Sequence, residues 1–432
     1  MKKHAFVILV GIALLFGSSS IFAGGKSDNA KSVGGTVKVL GVWGGQELDT
    51  FNEAIKPFTD RTGIKVDFEG TRDIDAVLTT RVQGNNPPDI ALLPGPGKMI
   101  ELVNANKLVD LSTMLDMNAF AKNYNVGWKD LGSVNGKLYC IYLGASVKGL
   151  IWYNPKTLKS LGITDTPKTW ADMLVVSKKI ASGGIAPWSI GIESGAASGW
   201  AGTDWLEDLF LRMYGPAVYK DWYNGKLAWT DPRVKAVWLE WGKIVADPAM
   251  VYGGKAYVTS TNFGAAGNPL FATPPKAVFH HQASFITSFF TDQNPGVKAG
   301  VDYDFFAFPA VDPKFADAVE GGGNVCAAFS NTPQSKALME YMASAEFQRY
   351  FAKNVGWLAT NKTVPLSLYA DDQIRRAADI LNKSNVYFDA SDMMKAEVNT
   401  AFWSGVVSYV NNPADLDKIL ATIEKVRLDS NK

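Results

Sequence analysis

Gly84-Asn85-Asn86-Pro87-Pro88-Asp89-Ile90-Ala91-Leu92-Leu93-Pro94-Gly95-Pro96-Gly97 is the stretch on which the fold turns. Pro87 and Pro88 bar a helix from running through it, because each fixes φ and lacks the backbone N–H that a helix interior needs. Ile90 to Leu93 then form a short apolar run closed by a second Pro/Gly cluster, the pattern of a buried strand between two loops. Just upstream, Ile74, Val77, Leu78 and Val82 fall at helical spacing. A helix followed by so apolar a strand is expected of a central strand in a parallel α/β sheet covered on both faces. Ligands of open α/β sheets bind beyond the C-terminal ends of such strands, which places Pro94 to Gly97 at the edge of a cleft.

Outward from this strand, strand and helix alternate. Val37, Val39 and Val42 make a first strand, Gly44-Gly45 breaks it, and Leu48, Phe51, Ile55 and Phe58 mark one face of a helix. Lys65 to Glu69 is a second strand, and Asp73 to Gln83 the helix that leads into the central one. Consecutive βα units of this kind predict a parallel sheet. Beyond Leu111 the pattern loosens until two further strands, Gly136 to Tyr142 and Gly149 to Pro155. Thr169 with Asp172 is a capping-box start for a helix with Met173, Leu174 and Ile180 on its apolar face. Asp231-Pro232 opens another, whose Val234, Val237, Trp238, Trp241 and Val245 share one face and read as core. No short-period repeat or coiled-coil run is present.

The N-terminus has the form of a secretory signal. Lys2, Lys3 and His4 precede about a dozen mostly apolar residues from Ala5 to Phe16, then small residues and Ile21-Phe22-Ala23. The run is well short of the ~20 apolar residues that span a bilayer. Cleavage after Ala23 is expected, with residues 24–35 as a polar, disordered lead-in and the mature chain periplasmic. Loss of Lys2 and Lys3 takes the basic count from 43 to 41 against 42 acids, so the mature chain is near neutral and lacks the basic face of a nucleic-acid binder. About 400 mature residues exceed one ordinary core, and two domains are expected. An exported chain can join Cys140 to Cys326, yet both sit in apolar strand-like runs where a lone cysteine serves as a small buried hydrophobe.

The catalytic inventory is thin. His280 and His281 are the only mature histidines, and no H-E-x-x-H, G-x-S-x-G, complete Walker A or G-x-G-x-x-G pattern occurs, so neither a cofactor nor a metal is expected. Thirteen Trp, 15 Tyr and 23 Phe stand out in an exported, neutral α/β chain, and broad apolar faces beside polar edges suit a sugar ring.

Four segments, in order along the chain, carry a family likeness: Val42-Trp43-Gly44-Gly45-Gln46-Glu47; Asn85-Asn86-Pro87-Pro88-Asp89-Ile90 with Leu108-Val109-Asp110-Leu111; Gly136-Lys137-Leu138-Tyr139 through Tyr153-Asn154 to Pro167-Lys168-Thr169-Trp170; and Gly321-Gly322-Gly323 before Val325 to Phe329. By these the chain resembles the family 1 extracellular solute-binding proteins of ABC importers, the family of the maltose- and α-glucoside-binding proteins. The resemblance implies a type II periplasmic binding fold, two α/β lobes hinged about a central ligand cleft by three crossings. Here the crossings fall near Ser146 to Gly149, near Ala318 to Gly322 and near Asn354 to Trp357, so residues 36–147 and 321–353 form one lobe and 148–320 and 354–432 the other. Glycines at two crossings suit segments that change φ/ψ as the lobes close.

The same resemblance implies site residues. The turn after the first strand offers Gln46 and Glu47, with Trp43 beside them, and the loop after the second strand offers Arg72. After the central strand some relatives place an aromatic and an acid, where this chain has Leu93-Pro94-Gly95-Pro96. In the second lobe Ser189 to Glu193 resembles a strand ending in a ligand-contacting acid, Glu193, with Trp200 beyond it. Gln282 and Phe285 stand where the family shows a small residue before a stacking tryptophan, and Thr400-Ala401-Phe402-Trp403 matches the segment that presents a tryptophan to the sugar. Gly322 and Trp357, at the second and third crossings, complete the set. The expected activity is binding without chemistry by a monomer: capture of an oligosaccharide, an α-glucoside first, and delivery to a membrane permease. The alternatives are a secreted carbohydrate-active enzyme using Glu193 and Glu47 as an acid pair, and a binding protein for a polyol or polyamine.

Overall fold

The computed structural model describes residues 34–354, 357–369 and 371–430, with the side chains of 46, 382 and 383 left outside the description. The expected signal and most of the lead-in, and residues 355 and 356 of the expected third crossing, therefore lie outside the described residues. Fourteen strands run in order among the described residues: β1 Thr36–Gly41, β2 Lys65–Gly70, β3 Ile90–Leu93, β4 Ser133–Val134, β5 Lys137–Leu138, β6 Cys140–Tyr142, β7 Ser146–Val147, β8 Leu150–Tyr153, β9 Ala186–Trp188, β10 Ala277–His281, β11 Asp304–Ala307, β12 Ala318–Gly322, β13 Val325–Ala328 and β14 Asn385–Phe388.

The run quoted above is the middle of the first sheet, whose order is β2-β1-β3-β13-β6. β3 pairs with β1 in parallel, Val39 to Ile90 and Gly41 to Leu92. On its other side it meets β13 antiparallel, Val325 to Leu93. The sheet is thus mixed, and the all-parallel expectation is corrected: β13 enters from more than 200 residues later and runs the other way, which local βα alternation cannot show. Ile90 to Leu93 are fully buried because both faces are covered. Ile90 and Leu92 pack with Phe51, Ile55 and Phe58 of the helix Gln46–Thr62, whereas Ala91 and Leu93 face Leu78, Met99 and Leu102. This alternation also decides the cysteines. Cys326 lies opposite Ile141, and Cys140 opposite Ala327. The two thiols are therefore on opposite faces of the sheet, in separate cores, and both are free.

A second, four-stranded sheet has the order β11-β8-β10-β9, and a third, three-stranded one the order β14-β12-β7. The strand expected over Gly136 to Tyr142 is divided into β5 and β6, and the one expected over Ser189 to Glu193 is replaced by β9, which stops just before it at Trp188, and by a single bridge of Glu193 with Asn262. Thr169 caps the helix Trp170–Ser182 by accepting from Asp172 N at 3.1 Å, and Asp231 caps Pro232–Val245. The largest core gathers Trp170, Trp188, Trp205, Trp222, Trp229, Trp238 and Trp241, so most of the tryptophan excess is packing.

Candidate functional site

The C-terminal ends of the three parallel strands open on one cleft. Val42 and Trp43 follow β1, Arg72 and Ile74 follow β2, Pro94 follows β3, and Glu47 comes from the first turn of Gln46–Thr62; all line it. Gly45 makes the turn between Trp43 and that helix with φ 54°, a conformation side chains other than glycine's rarely adopt. The opposite wall is Trp200, at the start of the helix Trp200–Tyr223, with Phe263, Phe285 and Trp403. Ser146, Lys148, Gly322, Trp357, Asp389 and Asp392 form the floor.

The aromatic residues divide by exposure. Trp43 and Trp357 pack edge to face, ring centres 5.2 Å apart, and are only 1% and 4% exposed, so they shape the floor of the cleft and offer a solute little area. A Cβ on Gly144 would lie 2.6 Å from the Trp357 ring, so this contact needs glycine. Trp200, Phe285 and Trp403 are half-buried and present their surface to the cleft. Gly199 sets two of them together: its φ is 115°, and a Cβ there would fall 2.3 Å from the Trp403 carbonyl oxygen. Phe263 meets Trp200 edge to face at 4.9 Å.

The polar lining is charged and paired. Arg72 donates to Glu47 at 3.4 Å and lies 5.4 Å from the Phe263 ring centre. Burial raises the Glu47 pKa, with Arg72 pulling the other way. Lys148 donates to Asp204 at 3.0 and 3.2 Å and to Asp389 at 2.7 Å, with the Trp200 ring 5.1 Å away. Burial pushes the Asp392 carboxyl well above its usual range, and the neighbouring Asp389 adds to this.

Of the residues anticipated from sequence, Trp43, Glu47, Arg72, Trp200, Phe285, Gly322, Trp357 and Trp403 meet at this cleft. Glu193 and Gln282 are not among its lining residues. The Glu193 carboxylate accepts from Asn262 Nδ2 at 2.9 Å and from the Gly195 N–H at 2.7 Å, and these bonds hold its pKa low. Gln282 is 2% exposed and its Oε1 accepts from the Ala283 N–H, a local turn contact. The side chain of Gln46 lies outside the described residues. At the expected second crossing and just after it, Gly321, Gly322 and Gly323 allow close approach, Cβ positions falling 2.6 Å from Val386, 2.8 Å from Lys148 and 2.5 Å from the Gly144 oxygen. Sequence reasoning missed Lys148, Phe263, Asp389 and Asp392. Lys148 carried a signal, since it is the one charge in the apolar run Ala145 to Ile151.

Residues 44–349 match the family model described as bacterial extracellular solute-binding protein. The osmoprotective compounds-binding protein of Synechocystis sp. is 37% identical over 90% of this chain and 91% of its own length. The chain belongs to this family of solute-binding proteins. A second relative, the alpha-glucosides-binding periplasmic protein of Rhizobium meliloti, is 32% identical over 91% of this chain and 87% of its own. Among solved structures, a chitin oligosaccharide binding protein superposes with a TM-score of 0.78 over 92% of this chain and 98% of that one at 19% identity. A maltose-bound T. maritima protein gives 0.69 over 92% and 100%, also at 19% identity. At such identities the likeness is one of fold, and that fold is the two-lobe solute-binding architecture with the ligand cleft between the lobes.

Proposed function

We propose that this solute-binding protein captures a neutral, hydroxyl-rich glycoside, an α-glucoside first, between its lobes and delivers it to an ABC permease in the membrane. The observation that carries the reading is the cleft wall of Trp200, Phe285 and Trp403, three half-buried rings facing charged groups that can accept from or donate to hydroxyls. The relatives' names support it: one is described as binding osmoprotective compounds and the other as binding α-glucosides. The lobes divide at residues 36–147 with 321–353 and 148–320 with 354–432, and the protein works as an exported monomer. A solute that touches both lobes favours the closed state by its differential affinity, and the permease reads that state. Wrong epimers leave buried polar groups unpaired, which is how such a site discriminates.

Turnover is not part of the proposal. Of the acid pair Glu47 and Glu193 only Glu47 lines the cleft, and the Glu193 carboxylate is engaged by Asn262 and the Gly195 N–H instead. The test is a thermal-shift panel of mono- and disaccharides, polyols, amino acids and polyamines. A solute at ~100 times its Kd stabilises by about 2.7 kcal/mol. A shift with α-glucosides is the expected result, and shifts with charged solutes alone would overturn the assignment.

A further inference from the structure

Behind the cleft lies a set of buried charges, of which Lys148 and Asp389 alone reach the cleft floor. Asp204, Glu207, Asp208 and Arg212 belong to the helix Trp200–Tyr223, Glu320 to β12, and His281 to the end of β10. Lys148 follows β7 and Asp389 follows β14. Asp204, Glu207, Asp208, Glu320 and Asp389 are each at most 2% exposed, against Lys148 and Arg212 as the buried cations beside them. His281 does not restore the balance, because burial holds its pKa down while it contacts Asp208 at 2.9 Å.

Most of these carboxyls have partners. Asp208 also receives Arg212, Glu207 accepts from the Ala390 and Ser391 N–H groups at 2.6 and 3.2 Å, and Asp389 accepts from the Ser391 hydroxyl at 2.8 Å and the Asp392 N–H at 2.9 Å. Glu320 is the exception. It is 0% exposed, and neither carboxyl oxygen has a hydrogen-bond partner among the described residues. One oxygen from each of Asp204, Glu320 and Asp389 lies within 4.8 Å of the other two.

An unpartnered buried carboxyl aimed at two others is satisfied either by a proton or by a cation, and only the cation gives its oxygens a partner shared with Asp204 and Asp389. We propose that Asp204, Glu320 and Asp389 bind a hard divalent cation of calcium's size. Three carboxylate oxygens are the donors such an ion selects, and their spacing fits around an ion that holds oxygen at about 2.3–2.6 Å. The ion enters from the cleft, on which Asp389 and Lys148 open. It competes with the Lys148 ammonium for Asp204 and Asp389, and the ammonium has the Trp200 face to withdraw to. Occupancy therefore alters the cleft floor as well as the charge behind it.

The test uses the full mature chain, stripped of metal with a chelator and free of solute. Calorimetric titration and melts at pH 7.5 are run with calcium chloride, then with magnesium and sodium chlorides. Calcium should bind and raise Tm by about 5–10 °C at ~100-fold saturation, with weaker responses to the other two. Glu320→Gln should abolish the response with the circular dichroism spectrum unchanged; Asp204→Asn is the second such variant should the first fold poorly, and Glu193→Gln should keep the full response. No calcium response in the wild type, an undiminished response in both Glu320→Gln and Asp204→Asn, or stabilisation by lowered pH alone would overturn the proposal.

Discussion

Lys148→Met keeps the length and apolar stem of the side chain and removes its ammonium. The three bonds lost, 3.0 and 3.2 Å to Asp204 and 2.7 Å to Asp389, are those of a buried ion pair whose carboxylates are 2% and 1% exposed. Breaking such a pair from one side costs about 3–5 kcal/mol, because the charge left behind has no compensation. With ~2–4 °C of Tm per kcal/mol for a cooperative unit of ~150–250 residues, melting should fall by roughly 6–20 °C. The sign of the pH dependence follows from Asp204, whose pKa burial already lifts to about 7 with Lys148 opposing. Without the ammonium it rises further. A carboxyl with a raised folded-state pKa contributes stability that is fully present below its unfolded pKa and is lost as pH rises through the folded value. Asp389, whose pKa Lys148 helps to hold low, loses its partner at both pH values, so the variant's deficit should be smaller near pH 5 than near pH 8. Calorimetric melts in chelator at both pH values measure it. A deficit under about 1 kcal/mol at pH 8, or one larger at pH 5, would refute the reasoning.

Trp403→Ala removes one of the three exposed stacking faces, and solute Kd should rise by about ten- to a hundredfold with the fold unchanged. Glu193→Gln, by contrast, should leave Kd within about twofold, since that carboxylate is engaged with Asn262 and Gly195; a tenfold loss would return Glu193 to the site. Gly97→Val should cost about 1–3 kcal/mol in a denaturant titration, because a Cβ there falls 2.2 Å from the Met394 oxygen. Cys140 and Cys326, whose thiol pKa values burial pushes far up, should stay unreactive to thiol reagents until the protein unfolds, with Tm independent of reductant.

The first sheet was legible wherever local pattern decides. Pro87 and Pro88 delimited β3, and the unbroken apolar run Ile90 to Leu93 matched its two buried faces. The insertion of β13 was not, since an antiparallel pairing across so long a separation leaves no local trace. Aromatic residues of the cleft were found through family likeness, but composition alone could not separate Trp200 and Trp403 from Trp188, Trp205 or Trp238, which are core. Pro94 to Gly97 looked like a departure from a sugar site. In the structure Gly95 and Gly97 lie against Asp392 and Met394, close enough that any Cβ would collide, so these residues serve contact between segments nearly 300 residues apart. Nothing in the sequence singles out Asp389 and Asp392, because a turn acid and a cleft acid look alike until the partner segment is in place.

Isothermal titration of the mature protein with trehalose, sucrose and maltose, beside a quaternary ammonium solute and a polyamine, tests the central claim most directly. One α-glucoside should bind at one per chain and be recovered intact after dissociation, with binding weakened in Trp403→Ala. Heat from a charged solute alone, or loss of the glucoside to hydrolysis, would contradict it.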